Sequence, residues 1–96
     1  MSEKEWVEVP RATLDFYKYE EGGLTFYEFN ATECSPPEPM VNAINGLRML
    51  KSENDRMVGI FFHEPTPLFE RTEKNFTHEV TELESGDVKV VFKKKM

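Results

Sequence analysis

The chain has 96 residues, 39% of them hydrophobic and 31% charged, with a net charge of −6. That length and balance suit one small soluble domain with a single core. The acidic balance excludes a nucleic-acid surface, which needs clustered Lys and Arg, and the single cysteine, Cys34, excludes an internal disulfide and suits a reducing compartment. No run approaches the roughly 18 apolar residues of a membrane span, and Met1-Ser-Glu-Lys-Glu-Trp6 lacks the apolar region of a signal peptide. A cytoplasmic protein with no membrane role is therefore expected.

Residues 1–23 read as a β-prone extension. Trp6 to Val9 suits a short strand, and Thr13 to Tyr19 is β-prone through its aromatics. Glu20-Glu-Gly-Gly23 reads as a turn, since paired glycines supply positive φ without steric cost. Leu24 to Asn30 follows as the next strand, so a hairpin about Gly22-Gly23 is expected.

Two helices follow, each announced by proline. In Ser35-Pro-Pro-Glu38 the pattern predicts an N-cap at Ser35, Pro36 at the first helical position, and a capping box in which the Glu38 carboxylate reaches back to the Ser35 N–H. Met40, Ala43, Ile44, Leu47 and Leu50 recur at helical spacing, and Gly46 is expected to weaken that helix by about 1 kcal/mol relative to Ala. Lys51 to Arg56 is polar and ends the helix. The apolar run Met57 to Phe62 suits a strand covered on both faces or flanked by neighbours. Thr66 then caps a short helix that opens on Pro67 and runs to about Lys74. Phe76 to Leu83 and Val88 to Phe92 read as strands joined by a turn at Glu84-Ser-Gly-Asp87, and Lys93 to Lys95 as a solvated end that discourages edge pairing.

From Leu24 onward the order is strand-helix-strand-helix-strand-strand. Each helix has one apolar stripe to bury, which predicts an α+β two-layer sandwich over residues 24–96, with two helices on one face of a mixed four-stranded sheet and an N-terminal hairpin extension.

Pro36-Pro37-Glu38-Pro39-Met40 at the first helix start, followed one strand later by His63-Glu-Pro and then Pro67-Leu68, resembles the TusA/SirA superfamily of small two-layer sandwich proteins. The match is to an uncharacterised branch of it. The family motif is Cys-Pro-x-Pro; Pro37 and Pro39 match its prolines, and Pro36 stands where its cysteine would be. The resemblance implies a setting in sulfur or redox metabolism, where members with the cysteine pass a persulfide to a partner. Pro36 has no nucleophile for that role.

The expected function is therefore non-enzymatic: binding of a protein partner or small ligand near the first helix start, by Cys34, Ser35, Pro36, Glu38, His63 and Thr66. A capping box would leave the first helix start no free donor for a thiolate, persulfide or phosphate. A second reading keeps sulfur relay, with Cys34 as carrier and His63 as its base; the blander role for His63 is a ring bonded to loop backbone. His78 reads as a partly exposed strand residue. A third reading makes the protein an accessory subunit docking through its aromatic extension. There Phe16-Tyr17 and Phe26-Tyr27 cannot all face one core, so the extension is expected to fold back over the open sheet face or to leave that face to a partner. Cys34, His63 and His78 are isolated in sequence and no phosphate loop or hydrolase motif is present, so neither a metal nor a cofactor is expected.

Overall fold

The computed structural model describes residues 3–95; Met1, Ser2 and Met96, at the outer ends of the two expected segments, lie outside the described residues. The chain is α+β, in the order β1 (Glu5–Val7), β2 (Phe16–Glu21), β3 (Leu24–Asn30), α1 (Glu38–Leu47), β4 (Asp55–Phe61), α2 (Thr66–Thr72), β5 (Phe76–Glu82) and β6 (Val88–Lys94). These six strands form one mixed sheet in the order β1-β2-β3-β4-β6-β5, not a four-stranded sheet with a separate hairpin. The extension therefore lengthens the sheet instead of folding back over its open face. Among the described strands only β3 and β4 pair in parallel; the other pairings are antiparallel. Among the described residues no helix is long and apolar enough to cross a membrane.

Local chemistry sets the turns. Gly22 and Gly23 have φ of 58° and 81°, the pair of left-handed residues that a two-residue hairpin matched to strand twist demands. Glu20 and Glu21 stay in β2, with Glu21 paired to Leu24. The Glu84–Asp87 turn closes through Gly86 at φ 95° and a Leu83 N–H to Asp87 O bond of 2.8 Å. The C-terminal lysines are solvated, with Lys93 and Lys95 exposed and Lys94 half-buried, but they do not guard a sheet edge. Lys93 and Lys94 belong to β6, an interior strand, and pair with Thr77 and Phe76.

Residues in register share a face of the sheet. On one face lie Phe16, Phe29, Met57, Phe61, Val90 and Phe92, each 2% exposed or less. Both helices meet that face. Gly46 of α1 comes so close that a Cβ there would stand 2.6 Å from Met57 Sδ and from Phe16 Cε2, and Phe69 of α2 stacks on His78 with centroids 3.7 Å apart. Gly46 is thus required by packing, where helix propensity alone marks it as a weakness. The opposite face carries Trp6 and Tyr17, which are 60% and 39% exposed, and Val58, which is 1% exposed between Glu28 and Val91 in register.

The loop between β1 and β2 is fastened to α1 by polar groups. Asn42 is fully buried; its Oδ1 accepts from the N–H groups of Thr13 (2.8 Å) and Leu14 (3.0 Å), and its Nδ2 donates to Thr13 Oγ1 and Glu38 O. Asn45 Nδ2 donates to Arg11 O, in a loop where Arg11 takes a φ of 69°. This clamp holds Thr13 and Leu14 out of β2, which starts three residues later than the aromatic run suggests.

Candidate binding site

Parallel strands β3 and β4 end side by side, and the Ala31 N–H to Ile60 O bond of 2.8 Å carries their pairing past the end of β3. Each strand then runs into a helix that opens on proline. Crevices of this kind, beyond the carboxyl ends of parallel strands, are where open α/β sheets bind ligands. Here the space is a cavity of about 530 Å³. Its floor is Ala31, Phe61, Met40 and Leu68; its walls are five prolines, Pro36, Pro37, Pro39, Pro65 and Pro67, with Phe62 at the rim.

Four of the six residues singled out in the sequence line this cavity: Cys34, Ser35, Pro36 and His63. Glu38 and Thr66 do not. Glu38 lines a second recess of about 540 Å³ with Asn30, Thr32 and Glu33, and Cys34 is the wall common to both. Thr66 is no cap but the first residue of α2, after an N-cap at Pro65, and α2 ends at Thr72, short of Lys74.

The capping box is absent. The helix begins at Glu38 with Pro37 as N-cap, no side chain caps it, and the Pro36–Pro37 peptide is cis. The Glu38 carboxylate instead accepts a 2.6 Å bond from Thr13 Oγ1, a partner 25 residues away. Donors at the site are thinned by another route, though not removed. Pro36, Pro37, Pro39, Pro65 and Pro67 have no N–H. Several of the remaining donors at the two helix starts are used locally: Glu38 N–H on Ser35 O, Thr66 N–H on Glu64 O, and Leu68 N–H on Pro65 O; among the described residues the Ser35 and Met40 N–H groups have no such partner. A helix N-terminus ordinarily welcomes anions through free N–H groups; α2 has given its own up, and α1 keeps few.

Cys34 and His63 share the cavity without touching chemically. Among the described residues no hydrogen bond joins them; the thiol donates to Ala31 O at 3.5 Å. Burial raises the pKa of the thiol, the Glu38 carboxylate raises it further, and the backbone bond only partly opposes them. A thiol so placed holds its proton, the reverse of the thiolate that sulfur relay needs. His63 is exposed, and its ring lies 4.4 Å from the Phe62 ring, centroid to centroid, instead of bonding loop backbone. His78 is half-buried on β5. Among the described residues no group of three or more His, Cys, Asp or Glu is placed to hold a metal ion.

Sequence reasoning singled out Pro36 for the site but used the other prolines only to place helix starts, and missed Pro37, Pro39, Pro65 and Pro67 as its walls. The signal was available: two proline pairs, each following a strand by a few residues, in a topology that sets the two strands side by side. It missed Phe62 too, which extends the apolar rim and is 61% exposed. Compared with models of protein families, with curated proteins and with solved structures, the chain matches none.

Proposed function

We propose that this protein is a non-enzymatic binding domain that seats a small apolar ligand in the proline-walled cavity. The cavity lies within the roughly 300–1,000 Å³ range of small-molecule sites and has the apolar lining common to them. The observation that carries this reading is the proline-rich, apolar lining, in which five residues have no N–H to offer a phosphate or persulfide. The fold reads as a two-layer sandwich, with both helices on one side of the sheet. Its order from β3 onward is that of the TusA/SirA superfamily, which suggests a setting in sulfur or redox metabolism.

Titration with the neutral, apolar fluorophore N-phenyl-1-naphthylamine tests the reading. Saturable binding at one site per chain is expected, weakened about tenfold by Ser35→Trp, which places a large side chain at the cavity wall. Absence of saturable binding overturns it. Sulfur relay by Cys34 draws support from one fact, that Cys34 and His63 line the same cavity. Exposure to glutathione persulfide followed by mass measurement distinguishes the two. Rapid gain of one sulfur at Cys34, with its release to an acceptor thiol, favours relay; an unmodified thiol favours binding alone.

A further inference from the structure

We propose that the ligand of this cavity is an organic cation, an amine whose apolar body occupies the proline-walled space and whose charged head lies against Glu33 and Glu38. The inference rests on the reading of the cavity as a ligand site and adds the charge of the occupant.

Three observations converge on it. The apolar cavity and the acidic recess are neighbours that share Cys34, so a ligand of modest length reaches both. The polar residues of the recess are Asn30, Thr32, Glu33, Cys34 and Glu38, and among the described residues no Lys or Arg lines either space. Arg71 approaches the floor, with Nη1 4.0 Å from Met40 Sδ, but is not part of either lining. Donors that would favour an anion are few, since five prolines line the cavity and the α2 start uses its own N–H groups.

The dipole of α1 opposes a cation at its N-terminus, by roughly 0.3–1 kcal/mol for an exposed group. Two carboxylates at the recess outweigh it. Glu38 has one oxygen engaged by Thr13, and Glu33 is exposed and adaptable. The field is already felt at the shared wall, where Glu38 contributes to the raised pKa of the Cys34 thiol. An amine gains there what the thiolate loses.

Three probes of similar shape and different charge decide the matter: 2-phenylethylamine, 2-phenylethanol and 3-phenylpropanoate, each titrated at neutral pH into the full chain and followed by backbone amide shifts. The amine is expected to bind about tenfold tighter than the alcohol, a preference that fades as salt screens it, and the carboxylate weakest of all. Glu33→Gln with Glu38→Gln is expected to bring the amine to the affinity of the alcohol while leaving the alcohol unchanged; the amide introduced by Glu38→Gln retains an acceptor for Thr13. Glu33→Gln alone, at an exposed position, is expected to remove about threefold of the preference. Equal affinity of amine and alcohol overturns the cation and leaves the apolar site standing. A carboxylate that binds tightest overturns both the cation and the donor argument. Failure of all three to saturate removes the ligand site itself, and the cation with it.

Discussion

The two sides of helix α1 use polar groups in opposite ways. Toward the β1–β2 loop it presents Asn42 and Asn45, buried and bonded to Thr13, Leu14 and Arg11. Toward the cavity its first turn presents prolines, which have no N–H to offer. Where the chain closes on itself, hydrogen bonds are made and no buried side-chain N or O among the described residues lacks a partner. Where a space is left open, five prolines line it and bring no N–H donors. A buried donor without a partner costs about 1–3 kcal/mol, so an open apolar cavity is stable only if the groups around it are satisfied or absent.

Breaking the closed side should give the largest effect. Asn42→Ala leaves the Thr13 and Leu14 N–H groups without their acceptor, and a loss of about 2–4 kcal/mol is expected from the denaturation midpoint, with the β1–β2 loop exchanging amide protons faster. Gly46→Ala comes next. Helix propensity alone favours Ala by about 1 kcal/mol, but the added methyl meets the buried Phe16 ring and Met57, and a net loss of about 1–3 kcal/mol is expected. A gain in stability would show that this contact yields freely.

Changes on the cavity side should be gentler. Pro39→Ala is expected to cost about 0.4–1 kcal/mol, through greater freedom of the unfolded chain, while trimming one wall of the cavity. Cys34 gives a pH signature. Its folded-state pKa is raised above the unfolded value, so its contribution to stability is fully present below the unfolded thiol pKa of about 8.5 and is lost as pH rises through the folded value. Stability of the native chain should therefore fall more steeply above that pH than stability of Cys34→Ser. Tyr19, whose pKa burial and then Glu28 hold well above the ordinary tyrosine value, adds a similar loss at still higher pH in both proteins. The smallest effect is expected on the open face, where Trp6→Ser should change stability by no more than about 0.5 kcal/mol despite the Trp6 Nε1–Asp15 bond.

Much of the scaffold was legible in the residues because it rests on local chemistry. Gly22-Gly23 and Gly86 place their turns through positive φ, and proline pairs place the two helix starts to within two residues. The site was legible in part. Cys34, Ser35, Pro36 and His63 were all singled out, and they meet at one cavity. Glu38 was assigned the wrong partner, since a capping box is a local pattern whereas Thr13 lies 25 residues away.

The sequence by itself determined the order of strands and helices, the hairpins, and the prolines without N–H groups at the helix starts, because each follows from what a residue can do within a few neighbours. Tertiary structure decided the rest. It made the aromatic extension two strands of one sheet, turned Asn42 into a clamp and Gly46 into a necessity, and set Cys34 between an apolar cavity and an acidic recess. Those outcomes depend on which distant segments approach one another, and pairing across long separations is governed by shape and burial that no short stretch of residues encodes.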